Sequence, residues 1–318
     1  MGKMIAMPFA LPTVLALGLM LSATAGPGSG LGLGPASALA ADQQTYPIQL
    51  VRAFAAEQQY DLVASGSETI RNRMNRTGER GSDQTIRRAI DLEAEVTVAA
   101  VDEQGLPTRV ALRVGKLLIR IDEQEHRPVE AGQTIIAARQ GGATAFSIQG
   151  GGALSAELSE VLAAVVDLVP PPVNLDEVYG STSPRRVGER WSVDSAAASR
   201  LFSHMQLIAR SRDVDGHVEL AGIAERDGHR CLELTAELDV SRLSFPPGAL
   251  PGGMQVQEAT VTQRIEGAYP ADEKLPPLRE SAVLAMSLHF EGRMGPDEPE
   301  VSIRTDAIRR MNWRITPR

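Results

Sequence analysis

Along most of this chain apolar residues recur at every second position. In EAEVTVAAVDEQGLPTRVALRV, Val96 and Val98 share one face. Beyond Asp102-Glu103-Gln104-Gly105, Val110, Leu112 and Val114 share a face while Arg109 and Arg113 point away. Alternation on both sides of a glycine turn predicts an antiparallel hairpin with one apolar and one wetted side. Further strands are expected at 117–121, 134–138 and 144–148, and 58–73 reads as one long strand or two. Period-2 patterning returns at 206–212, 217–225, 229–240, 257–266, 278–291 and 301–315, the last with a break near Asp306. Leu284, Met286, Leu288 and Phe290 mark one face of the penultimate strand, and Met311, Trp313 and Ile315 that of the last.

One segment departs from this period. ALSAELSEVLAAVVDLVPPP sets Leu154, Leu158, Val161, Leu162, Val165 and Leu168 on one helical stripe, with Glu157, Glu160 and Asp167 largely opposite. Ser155 suits an N-cap and Pro170–Pro172 a stop, so one long amphipathic helix is expected over 155–169, packed on the sheet. Gly150-Gly151-Gly152 lead flexibly into it, and no following Lys-Ser/Thr makes them a phosphate loop. A shorter alanine-rich helical stretch is expected at 195–204. VTVAAVDEQG (96–105) and VELAGIAERDG (218–228) form a faint repeat, from duplication or from convergence of similar hairpins. The expected class is α+β, mainly antiparallel, as a curved open sheet or incomplete barrel with the long helix on it. The division is 41–172, a first meander plus helix, 173–205, a connection with a short helix, and 206–318, a second meander continuous with the first.

The opening MGKMIAMPFALPTVLALGLMLSATAGPGSGLGLGPASALA places Lys3 before an apolar run from Ile5 to Leu21 and small residues after it. That order predicts a signal peptide over 1–40, cleaved after Ala40 or after Ala25, and a periplasmic or extracellular destination. Pro8 and Pro12 disfavour a retained anchor, and no later stretch approaches the ~18 apolar residues of a spanning helix. The expected product is a soluble exported chain. Loss of 1–40 removes Lys3 and no acid, taking the net charge of −8 to −9, which disfavours nucleic-acid binding. Aromatic residues at 4% disfavour carbohydrate and single-strand stacking surfaces.

The stretch VDGHVELAGIAERDGHRCLEL holds His217, His229 and the single Cys231. Asp215-Gly216 and Asp227-Gly228 both suit hairpin turns, which sets the two histidines at opposite ends of one strand, on the order of 30 Å apart. One ion with ligands at about 2 Å cannot hold both, so neither a metal nor a cofactor is expected. Cys231 is read as a small buried hydrophobe. No Gly-x-Ser-x-Gly elbow occurs, and no catalytic residue is assigned. Arg71, Arg73, Arg76, Arg80, Arg87 and Arg88 read as charged strand edges, or else as a patch for an anionic partner. SFPPGALPGGMQ (244–255) groups Phe245, Leu250 and Met254 in a loop that is either a mobile apolar lid or a compact cover of the core.

VAAVDEQGLPTRVALRV together with RRVGERWSVD resembles uncharacterised exported bacterial β-sheet proteins. These pair a Val-x-x-Val-Asp-x-x-Gly-x-Pro-Thr hairpin with a later Val-Gly-x-x-Trp. Their layout is similar to the lipoprotein-carrier type of fold, an incomplete antiparallel barrel wrapped on helices, and the resemblance carries over no catalytic residues. Trp191 of the second motif is a core or seam anchor, or more sharply a ligand contact. The function expected is a non-enzymatic exported protein that binds an apolar ligand or an envelope protein with its curved sheet. Its candidate contacts are Phe245, Leu250, Met254, Leu158, Leu162 and Trp191. The alternatives are an envelope structural or assembly factor without a small-molecule pocket, and a hydrolase without a recognisable motif.

Overall fold

A computed structural model describes residues 44–78, 80–205, 207–250, 253–293, 295 and 299–318. The expected signal segment and both cleavage positions lie outside these residues. In chain order the strands are β1 (Tyr46–Ile48), β2 (Gln59–Arg76), β3 (Ser82–Val101), β4 (Pro107–Ile121), β5 (Gln124–His126), β6 (Thr134–Gln140), β7 (Ala143–Ile148) and β8 (Ser181–Arg185). There follow β9 (Arg190–Ser192), β10 (Ile208–Ala209), β11 (Val214–Arg226), β12 (His229–Val240), β13 (Leu243–Ser244), β14 (Met254–Pro270), β15 (Arg279–Arg293) and β16 (Glu300–Pro317). Among the described residues three short α-helices accompany them: α1 (Ala156–Ala163), α2 (Leu175–Val178) and α3 (Ser195–Leu201).

A 12-stranded antiparallel sheet runs β7-β6-β4-β3-β2-β16-β15-β14-β12-β11-β9, with β5 beside β4, and it does not close into a barrel. The pairs β1–β8 and β10–β13 stand apart from it. The two meanders are zipped together by β2 and β16, in register from Tyr60↔Pro317 to Arg76↔Val301. The stretch expected as one strand or two is therefore one long strand, beginning at Gln59. The expected break near Asp306 is absent, for Asp306 pairs in register with Ser287 and Arg71. Its carboxylate accepts from Ser287 Oγ at 2.8 Å and pairs with Arg73, so the sheet tolerates the charge on its wetted face.

Alternation decides which face is covered. Tyr60, Leu62 and Ala64 of β2, Ile90, Leu92 and Val96 of β3, and Met311, Trp313 and Ile315 of β16 are all buried. The intervening positions carry ion pairs such as Arg113–Glu95, Arg120–Asp91 and Arg264–Glu266. The arginine patch is not at an edge, because β2 and β3 are interior strands and the edges are β7 and β9. Its members pair across strands instead, Arg71 with Asp83 and Arg88 with Glu68.

The long helix expected over 155–169 is not present: α1 spans Ala156–Ala163. Ser155 caps it as expected, accepting from the Leu158 amide at 3.3 Å. The far end is cut short by side chains that compete for backbone donors. The Thr144 hydroxyl donates to Asp167 Oδ1 at 2.6 Å and accepts from the Leu168 amide at 2.9 Å, while Asp167 Oδ1 accepts from the Val169 amide at 3.0 Å. These bonds hold 167–169 in a turn, and β-branched Val165 and Val166 offer weak resistance. Val165, Val166 and Leu168 are buried nonetheless, as irregular chain rather than helix.

Asp215-Gly216 is a second correction. The pair lies inside β11, opposite Asp239 and Leu238, and the chain reverses earlier in a 3-10 turn over Ser211–Asp213. Gly216 serves close strand approach, since a Cβ there would stand 2.4 Å from the Glu237 carbonyl oxygen. Asp227-Gly228 does turn the β11–β12 hairpin, with φ of 48° and 80°. His217 and His229 stay far apart along it, on the order of 30 Å. The strand expected at 206–212 shrinks to the two residues of β10, with Gln206 outside the described residues.

Candidate functional site

The covered face of the sheet divides into two regions. Over β2–β4, β6 and β7 the cover is α1 and the chain after it, with Leu162 at 0% exposure and Val161, Val165 and Leu168 also buried. A charged seam borders this region. Arg88 donates to Glu160 of α1 at 2.9 Å, and Glu68 accepts from Arg88 at 3.5 Å and from Arg309 at 3.1 Å. Gly66, Ile90, Val161 and Met311 enclose with these charges a hollow of about 20 Å³, room for one water.

Over β11, β12 and β14 the cover is the segment around Leu50, then α2 and α3. A partly enclosed chamber lies between them, walled by Leu50, Leu175, Tyr179, Val218, Leu234, Ala236, Ile265 and Tyr269, with about 20 Å³ free. Its phenols reach buried polar groups behind the wall. Tyr179 Oη donates to Gln263 Oε1 at 2.9 Å, and Tyr269 Oη donates to Glu280 Oε2 at 2.9 Å. Gly267 makes the second contact possible, because a Cβ there would meet the Tyr269 ring at 2.4 Å. Glu280 is 6% exposed and its Oε1 has no hydrogen-bond partner among the described residues. Burial pushes its carboxyl up to about 7, against the opposing hydrogen bond from Tyr269. Burial likewise raises both phenols.

Arg52, 2% exposed, donates to the Pro270 carbonyl at 3.1 Å. Burial lowers its guanidinium pKa, and the nearby Glu273, Asp176 and Asp272 oppose that shift. Asp176 of α2 holds the covering segment by accepting from the Leu50 amide at 2.6 Å and the Val51 amide at 3.4 Å. Desolvation raises the Asp176 carboxyl despite these bonds.

The six residues expected as contacts are divided between the two cores. Trp191 is buried in the second core, where its Nε1 donates to the Tyr179 carbonyl at 3.0 Å and Arg185 lies 5.2 Å over its ring. Phe245, Leu250 and Met254 are partly buried against that core, Phe245 with its ring 5.5 Å from that of Phe290. Residues 251–252 of the same loop lie outside the described residues. Leu158 and Leu162 belong to the first core, Leu158 half-buried. The first four share a core but not a place: Trp191 is level with Val218, Ala236 and Ile265, eleven residues along β14 from Met254, and the other two belong to the first core. The polar residues behind the chamber escape a search for chemical motifs. Their signal is phase: Gln263 and Glu280 occupy positions where alternation calls for an apolar side chain.

No family model matches the chain, and no curated protein sequence matches it. Among solved structures it is similar to one described as lipid–protein interactions in lipovitellin, with TM-score 0.29 and 8% identity over 83% of this chain. The chain spans only 25% of that lipovitellin chain. It is also similar to a LolA superfamily protein, NE2245 from Nitrosomonas europaea, with TM-score 0.15 and 10% identity over 80% of this chain and 86% of the other. OpdQ of Pseudomonas aeruginosa gives TM-score 0.16 and 7% identity over 81% of this chain and 98% of the other.

Proposed function

We propose that this protein is exported and takes up an apolar ligand on the covered face of its sheet, doing no chemistry on it. The observation that carries the reading is the make-up of the cover. A 12-stranded sheet presents one apolar face, and what lies on it is a set of short pieces: α1 of 8 residues, α2 of 4, α3 of 7 and β1 of 3. Pieces of that length have little stability of their own and hold position by packing. An apolar ligand that replaces their contacts can displace them without breaking the long strand ladders. A strip between the two regions is already thinly covered, for Met74, Ile86, Leu284, Ile303 and Ala307 are only half-buried. Export rests on the order of Lys3, the apolar run and the small residues up to Ala40, with the periplasm or the extracellular space as destination.

The test joins two measurements. Mass spectrometry of the mature chain should find its N-terminus after Ala40 or Ala25. The folded protein should enhance the fluorescence of N-phenyl-1-naphthylamine saturably, and added lipids should displace the probe. An intact Met1 on secreted material removes the export reading. A folded chain that binds neither probe nor lipid removes the uptake reading.

A further inference from the structure

We infer that the chamber beneath α2 seats a single long alkyl or acyl chain with an uncharged, hydroxylated head, and that Glu280 excludes anionic heads. This rests on the proposed uptake of an apolar ligand and names its class. The walls are apolar apart from two phenols, Tyr179 and Tyr269, which suits a hydrocarbon chain with one polar end. Each phenol already spends its proton, on Gln263 and on Glu280. What the hydroxyls still offer is acceptor capacity, and so does the unpartnered Oε1 of buried Glu280 behind them. A head that donates hydrogen bonds satisfies these acceptors. A carboxylate or phosphate brings only further acceptors and, one phenol away from Glu280, a charge of the same sign as the ionised carboxyl.

Arg52 does not reverse this. Like Glu280 it lies behind the chamber wall, where its Nη2 donates to the Pro270 carbonyl and Glu273, Asp176 and Asp272 stand near it, and it is not among the groups that shift the Glu280 carboxyl. Entry requires movement, because the free space of about 20 Å³ holds a single water. The covering pieces that would yield are Leu50 and Leu175. They are held by two register pairs between β1 and β8 and by the Asp176 carboxylate on two amides.

The mature chain would be titrated with 1-monooleoylglycerol and with oleate at about pH 8, where carboxylates are ionised, each displacing N-phenyl-1-naphthylamine. Monooleoylglycerol should bind at least about tenfold tighter, a gap of ~1.4 kcal/mol. Glu280→Gln removes the charge and supplies a donor, so it should close most of that gap by strengthening oleate. Ala236→Phe should fill the chamber and abolish binding of both. Should that variant fail to fold, a diazirine analogue of monooleoylglycerol on the unaltered chain should label β11, β12 or β14. Equal affinity for the two lipids, an unchanged gap in Glu280→Gln, or labelling confined to the strip around Met74 and Ile303 overturns the inference. Labelling of that strip leaves ligand uptake standing, whereas absence of any binding removes both.

Discussion

The two regions of the covered face are built from the same sheet yet handle polarity in opposite ways. In the α1 region the charges stay at the margin, where Glu68, Arg88, Glu160 and Arg309 neutralise one another in partial contact with water. In the α2 region Gln263 and Glu280 sit among the buried side chains, with Arg52 beneath the same cover. Glu280 has a phenol for company and no cation among the groups that shift its titration. A buried carboxyl without a cation is unfavourable compared with an aliphatic residue of similar volume. The α1 region is thus arranged for stability, while the α2 region gives up stability for polar capacity beside a chamber. Such local departures from good packing are expected where a site is kept.

The largest test of this contrast is on the stable side. Leu162→Ala should lower unfolding free energy by ~2–5 kcal/mol in urea titration, because the side chain is fully enclosed. Leu158→Ala should lower it by only about 1 kcal/mol, since half-burial leaves less contact to lose. Equal losses would mean that α1 sits on the sheet in another rotation.

Next in size is pH. The folded Glu280 carboxyl titrates near 7 and its ordinary value is 4.5, so between these the folded state holds a proton that the unfolded state has released. Its contribution to stability is therefore complete below about pH 4.5, falls as pH rises to about 7, and is flat beyond, for a total of roughly 3 kcal/mol. The difference in unfolding free energy between the native chain and Glu280→Gln, measured from about pH 4.5 to about pH 8, should shift by that amount in favour of the variant. A pH-independent difference would mean that Glu280 reaches solvent or a cation.

Removing the phenol that satisfies this carboxyl comes third. Tyr269→Phe should cost ~1–3 kcal/mol and move the carboxyl's titration upward, since the lost hydrogen bond favoured the charged form. The smallest effects belong to the seam and the wetted face. Glu160→Gln should cost about 0.5–1 kcal/mol through the partly buried Arg88 pair, and Arg113→Gln less than about 0.5 kcal/mol through its exposed pair with Glu95. Salt titration separates the two, because the exposed pair is screened more strongly.

Much of the sheet was legible residue by residue. The 229–240 strand, the turn at Asp227-Gly228 and the faces marked by Met286, Leu288 and Phe290 follow from alternation and turn chemistry alone. Gly216 misled because a turn dipeptide and a close strand approach ask for the same residue, and only the Glu237 carbonyl distinguishes them. The helix misled because its apolar stripe is real, but Thr144 of β7 and Asp167 take over the hydrogen bonding of 167–169. Four of the candidate contacts belong to one core, Trp191 far from the other three, and each of Glu280 and Tyr269 is unremarked in sequence until the other stands 2.9 Å away.

By itself the sequence determined what is local: period-2 strands, one short capped amphipathic helix, and an antiparallel class with one wetted face. These depend on residues within a few positions of each other, where backbone geometry dictates the period. Tertiary structure alone decided the partnership of β2 with β16, the shortening of α1, and the meeting of Leu50 with Asp176 and of Tyr269 with Glu280. Apart from the last, these contacts join residues far apart along the chain, where periodicity carries no information about the partner. The last joins neighbouring strands, but whether a polar residue in apolar phase is buried or wetted depends on what covers that stretch of sheet.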